Sequence, residues 1–278
     1  MDDIDRATFK SELRRAGEDL SPARANLLLA REIAYPDLRP SDYVIQLDDL
    51  SVAGHAALAG YPTPETRGLA LAEFLFHSVG FRGDSHDYTN PRNSYLNDVL
   101  EQRAGLPISL SVIFLEVARR LGIAAAGVGM PGHFIVSVQS ADGPLYLDPF
   151  HGGMTITRAD CERLVSQATG YPGSFDSRWL APSTPRDIVA RMSNNLRNFY
   201  VQAEDWPHAI AVVERLRTLQ PHVNSHWRDL GLLHYRAGAY HIASEFLDQY
   251  LAREPDAHDA QSVRQNRDRL LDHLTRLN

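Results

Sequence analysis

The chain has 278 residues, 44% hydrophobic and 23% charged, an ordinary globular balance that suffices for one large domain or two modest ones. Its net charge of −7 argues against broad nucleic-acid binding, which needs a basic face to displace counterions. No stretch reaches the roughly 18 apolar residues of a membrane span, the acidic start Met1-Asp2-Asp3-Ile4-Asp5 lacks the apolar core of a secretory signal, and the single cysteine, Cys161, excludes an internal disulfide framework. A cytoplasmic protein is expected.

The first eighty residues read as helices. Ile4, Phe9 and Leu13 fall near helical spacing and predict a helix over Asp3 to Ala16. Ser21-Pro22 is an N-cap followed by Pro at the first helical position, opening a helix to Ile33 that Pro36 and Pro40 end. Ser41 is expected to cap the next helix, through about Ala57, and Thr63 a further one to about Val79. Gly80 to Ser94 is an irregular polar loop carrying Asp84, Asp87, Asn90 and Asn93.

Leu96 to Arg103 predicts a short helix, and Ile108 to Leu121 one that is apolar nearly all round and therefore buried. The period then changes to strands at 124–128, 134–138 and 145–147, separated by Pro131-Gly132 and the turn Ala141-Asp142-Gly143-Pro144. A helix at 160–168 follows. From residue 190 the chain repeats at a 34-residue shift, placing Leu196 on Leu230, Ala209 on Ala243 and Pro221 on Pro255, the pattern of a tetratricopeptide (TPR) unit. The expected division is 1–170, a Pro-containing linker at 171–189, and TPR-like repeats at 190–278.

His133 begins one strand and Asp148 ends the next, so the carboxylate is placed to orient the imidazole as in a catalytic triad. A nucleophile would sit at the start of the buried helix, where the helix dipole favours a developing anion. His151, just beyond Pro149, Asn93, in the loop before the helix, and Ser111, near the start of the helix, are candidates to line the same cleft as binding residues. His77, Asp84, His86 and Asp87 match no familiar ligand spacing and no Gly-rich loop follows a strand, so neither metal nor nucleotide nor other cofactor is expected.

Arg92 to Ser111 (R-N-S-Y-L-N-D-V-L-E-Q-R-A-G-L-P-I-S-L-S), P-G-H-F at 131–134 and D-P-F-H-G-G at 148–153 together resemble the SirB-type transglutaminase-like family, as do the C-terminal repeats. The resemblance covers about residues 85 to 257. It implies an α+β fold, with a papain-like module made of a helical N-terminal half and a small antiparallel sheet on a buried helix, followed by an all-α array. It also implies that His133 and Asp148 match the second and third members of the transglutaminase triad.

The first member departs from that pattern. The cysteine slot falls between Pro107 and Ser111, where Ser109 and Ser111 stand instead, and Cys161 lies in a later helix with a structural role. A serine hydroxyl is far less ionised than a thiol and needs a well-aligned base. The favoured expectation is a non-catalytic interaction protein that binds a protein or peptide through its TPR-like repeats, with no nucleic-acid or membrane partner. The alternative is an amide or thioester hydrolase or acyltransferase with a Ser109–His133–Asp148 triad.

Overall fold

The computed structural model describes residues 4–15, 20–171 and 173–277, the last six as backbone only. It divides into two compact units between Met192 and Ser193. The fold is α+β in the first unit and all-α in the second.

The N-terminal segment departs from the single helix expected from Asp3 to Ala16, whose end residues lie outside the described ones. A 3-10 turn at Ile4–Arg6 is separated from the short α1 (Phe9–Glu12) because Thr8 adopts an extended backbone and caps α1 through the Ser11 N–H. α2 (Pro22–Ile33) starts as expected, with the Ser21 hydroxyl accepting from the Arg24 N–H. α3 (Pro40–Ala57) corrects the expected Ser41 cap. Its N-cap is Arg39, without a side-chain bond, and the Ser41 hydroxyl donates to Asp5 instead. α4 (Pro64–Ala72) is capped by Thr63 and runs on into a π-helical turn, Glu73–Ser78.

α5 (Leu96–Gln102) is held at its start by Asn26 of α2, which donates to Ser94 O and accepts from the Leu96 N–H. α6 (Pro107–Arg120) is the centre of the unit, with Leu110, Ile113, Phe114 and Val117 wholly buried. Its one buried acid, Glu116, is matched by Ser21 at 2.5 Å, Arg120 at 2.5 Å and Arg119 at 3.2 Å. Burial of so many leucine- and valine-sized groups, each worth about 1.5–3 kcal/mol, is what fixes this helix.

Two short strands, β1 (Arg82–Gly83) and β2 (Ala104–Gly105), pair in parallel just before α6. The main sheet is antiparallel in the order β3 (Ala125–Met130), β4 (His133–Ser140), β5 (Gly143–Asp148), β6 (Met154–Ile156). β6 was not foreseen; its three residues are too short for a period-2 signal. Val138 packs against Gly68 of α4, where an added Cβ would lie 2.7 Å from its side chain. Ile135, of the other parity, packs with Cys161 and Val165 of α7 (Arg158–Thr169).

The stretch expected as a linker adds to this unit. Phe175, Trp179 and Leu180 pack on the cluster around Val128 and Ile135, and the Ser183 N–H bonds Gly127 O at 2.8 Å along the edge of β3.

The second unit takes in the end of α8 (Pro185–Gln202), then α9 (Trp206–Leu219), α10 (Ser225–Arg236), α11 (Tyr240–Arg253) and α12 (Ala260–Leu277). The repeat logic is visible in its packing. An added Cβ on Gly231 would lie 2.5 Å from the Leu247 side chain, so α10 and α11 approach only because that position is glycine. Leu196, Ala209, Leu230 and Ala243, the repeated small and apolar positions, are all fully buried. Trp227 is held between the guanidinium groups of Arg217 and Arg253, at 4.4 and 4.3 Å from its ring centre.

Candidate functional site

β4 and β5 pair with Val136 opposite Leu147, and one further step along that register sets Asp148 opposite Ile135. Asp148 therefore lies diagonally from His133 on the same face of the sheet. His133 Nε2 and Asp148 Oδ2 are 2.8 Å apart, with both residues buried. His151 joins them, its Nδ1 2.8 Å from the same Oδ2.

The other carboxylate oxygen has its own partners. Asp148 is the N-cap of a 3-10 turn, Pro149–His151, and Oδ1 accepts from the Phe150 and His151 N–H groups at 3.0 and 3.3 Å. Burial by itself would raise the Asp148 pKa. Hydrogen bonds and charge from His133 and then His151 outweigh it and hold the group below the usual carboxylate value. The result is a carboxylate fixed at both oxygens, with two imidazoles on one of them.

No hydrogen bond engages His133 Nδ1 among the described residues, so Nδ1 is the ring nitrogen left to act as a base. The His133 ring meets Phe150 edge-on at 6.3 Å, and Arg191 donates to the backbone oxygens of both Met130 and His133. Burial lowers the pKa of that guanidinium. Its cationic face also lies 5.4 Å from the centre of the Phe134 ring.

Ser109 is in the first turn of α6, as expected, and is wholly buried. Its Oγ accepts from the Leu106 N–H at 2.9 Å and faces two acceptors, Asn93 O at 2.8 Å and Leu106 O at 3.1 Å. All of these partners are backbone groups at the junction of loop and helix. Gly105 beside it would place a Cβ 2.7 Å from Ser109 Oγ, so the hydroxyl fills the space available. Ser111 Oγ donates back along the helix to Pro107 O at 2.7 Å.

Asn93 is equally occupied, donating to Asp84 Oδ2 and Asp87 O, while Asp84 Oδ1 accepts from the His86 and Asp87 N–H groups. Backbone bonds, that of Asp87 foremost, hold Asp84 below the usual carboxylate value. Asp84, Asp87 and Asn93 thus build the loop itself.

Cys161 lies in α7, in the core with Val128 and Ile135. Burial, with nearby carboxylates, pushes its thiol up to about 11. The potential ligand atoms of His133, Asp148 and His151 lie within 4.8 Å of one another. His133 Nε2 and His151 Nδ1 both face the carboxylate oxygen, and a metal held through those two nitrogens would have to displace both hydrogen bonds.

Sequence reasoning missed the bond from His151 to Asp148. The signal was present in Asp148-Pro149-Phe150-His151, since an Asp cap before Pro starts a 3-10 turn that returns the third residue to the cap. It also missed the cleft of about 440 Å³ that His151 borders with Glu73, His77 and the exposed side chains of Tyr61, Leu69 and Met154. The π-helical turn at Glu73–Ser78 carries two of those residues.

Residues 41–194 match the transglutaminase-like superfamily, and residues 196–267 match a tetratricopeptide repeat. A UPF0162 protein of Xylella fastidiosa (strain Temecula1) is 34% identical over 260 residues, which cover 91% of this chain and 92% of that protein. The chain belongs to the UPF0162 family of transglutaminase-like proteins. The UPF0162 protein PA3419 of Pseudomonas aeruginosa is 31% identical over 186 residues, 67% of each chain. Outside the UPF0162 proteins, human F-box only protein 21 is 36% identical over 106 residues, 35% of this chain and 17% of that protein.

Proposed function

We propose that this UPF0162 protein is a non-catalytic interaction module, in which a transglutaminase-like scaffold supports a TPR array that binds a protein or peptide partner in the cytoplasm. The observation that carries the reading is the state of Ser109. To attack a carbonyl, its hydroxyl must hand its proton to a base, and a catalytic serine hydrogen-bonds that base. Here the base candidate, His133, is absent from its partners. The lone thiol, Cys161, is buried in the core and held protonated. Arrays of TPR units present an extended surface suited to peptides, which supplies the interaction half of the reading.

A second reading is favoured by one feature, the oriented His133–Asp148 pair with Nδ1 free. In it the protein is an amide or thioester hydrolase or acyltransferase with Ser109 as nucleophile, His133 as base and Asp148 as orienter. A screen of amide, ester and thioester substrates separates the two. The interaction reading predicts no turnover by the wild type, and turnover that is abolished in a well-folded His133→Ala variant contradicts it.

A further inference from the structure

In the C-terminal unit the described arginines are nearly all engaged. Arg197 and Arg228 pair with Asp229, Arg267 with Asp248, and Arg215 with Glu214. Arg217 and Arg253 flank Trp227, and Arg264 donates to Pro255 O. The two exceptions are Arg236 in α10 and Arg269 in α12. Neither has a carboxylate, ring or backbone partner among the described residues, and both line the same cavity, of about 230 Å³.

Asn266, also without a hydrogen-bond partner among the described residues, lines it with them. The apolar part of the lining is Leu232, Tyr235 and Leu247, of which Leu232 and Tyr235 are 36% and 45% exposed. A solitary solvated arginine means little. Two that are unpaired, converging with an unpaired amide on a partly apolar hollow, form the usual composition of a binding site.

We infer that this hollow between α10, α11 and α12 receives an acidic segment of a partner protein, seating an apolar side chain on Leu232, Tyr235 and Leu247 while flanking Asp or Glu carboxylates pair with Arg236 and Arg269. The inference rests on the interaction reading above and names the chemistry of the partner. Guanidinium groups present fixed pairs of donors that match a carboxylate bidentately, and Asn266 adds a donor for a peptide carbonyl. Two arginines suit a short acidic segment. A nucleic acid needs a longer basic track, and the net charge of −7 repels a polyanion at long range. An acidic partner also reverses the expectation from overall charge alone, which points to a basic one. The local pattern decides here because screening confines charge effects to about 8–10 Å in physiological salt.

The test is fluorescence anisotropy on the full chain with three labelled ten-residue probes, each carrying one central Leu among Glu, Gln or Lys residues. The Glu probe should bind about tenfold more tightly than the Gln probe, as charge-assisted pairing predicts. The double variant R236A/R269A, with an unchanged circular dichroism spectrum, should lose that tenfold preference. R236K should lose part of it, because the charge remains while the fork is lost. L232S should weaken the Glu and Gln probes alike.

Equal binding of Glu and Gln probes, no binding of any probe, or a double variant that keeps the preference would overturn the inference. Tighter binding of the Lys probe at this unit would overturn it while leaving the interaction reading standing. Displacement of the Glu probe by stoichiometric single-stranded RNA would overturn it in favour of a nucleic-acid site. Catalytic turnover, by contrast, would fail the interaction reading without altering the ranking of the probes.

Discussion

Nε2 of His133 lies 2.8 Å from Oδ2 of Asp148, so the imidazole shows its other nitrogen, Nδ1, to the surroundings. The pair is oriented as a base and its orienter are, yet it also completes a carboxylate that caps a turn and holds His151. Structural and catalytic roles predict different consequences for the same substitution.

Asp148→Asn should destabilise the fold. The amide keeps one acceptor oxygen and sets an NH2 group against a donor, leaving a buried polar group unsatisfied at a cost of about 1–3 kcal/mol. The folded pKa of Asp148 lies below its unfolded value, so its stabilising contribution is present above about pH 4 and is lost as pH falls through the folded value. Urea denaturation between pH 2 and 7 should show a shallower acid slope for the variant than for the wild type. Parallel slopes would contradict the assignment.

Ser109→Ala should cost about 0.5–2 kcal/mol, the usual worth of a helix-start hydroxyl, because the Leu106 N–H loses its shorter bond and keeps only the 3.3 Å one to Asn93 O. The loss should appear as a lower midpoint with an unchanged denaturant slope. Ser109→Thr should also destabilise, since Ser109 is wholly buried and an added methyl would overpack its surroundings.

His226 of α10 is buried with neither ring nitrogen hydrogen-bonded among the described residues. Burial lowers its pKa, and Arg197, His222 and Arg217 lower it further against the opposing pull of Asp229. The unfolded chain therefore binds the proton more readily. The associated stability is complete above the unfolded value near 6.5 and is lost as pH falls from there toward the depressed folded value. His226→Phe should remove that component of the acid slope and raise stability at pH 6. An unaltered slope between pH 5 and 7 would refute the account.

Cys161 should resist alkylation in the native state. Its thiol is buried and pushed up to about 11, so almost no thiolate is present at neutral pH. Iodoacetamide at pH 7.5 should label it at the rate of unfolding, and in 6 M urea at the rate of an ordinary thiol. Fast native labelling would place a reactive thiol where none is expected.

The overall plan was legible because its signals are local and strong. The apolar run at 108–121 leaves little polar face and is therefore central, and the 34-residue shift exposes two helical hairpins before any contact is known. The pairing of His133 with Asp148 followed from strand order and a short turn. The rest depends on what lies across space. Nothing near Ser41 announces Asp5 as a competitor for its hydroxyl, and nothing near Ser109 announces Asn93 O sixteen residues earlier. The break at Thr8 was readable in principle, since a Thr with a Ser three residues on, Ser11, caps a helix as readily as it continues one. Periodicity over Ile4, Phe9 and Leu13 outvoted it.

The central claim, that the helix start carries a structural hydroxyl and no nucleophile, is tested most directly by acyl trapping. Full-length protein is incubated with activated acyl esters and thioesters and with a fluorophosphonate, and read by intact mass and peptide mapping. The account predicts no adduct on Ser109 in the folded protein. A stoichiometric adduct on Ser109 that disappears in a folded His133→Ala variant would contradict it.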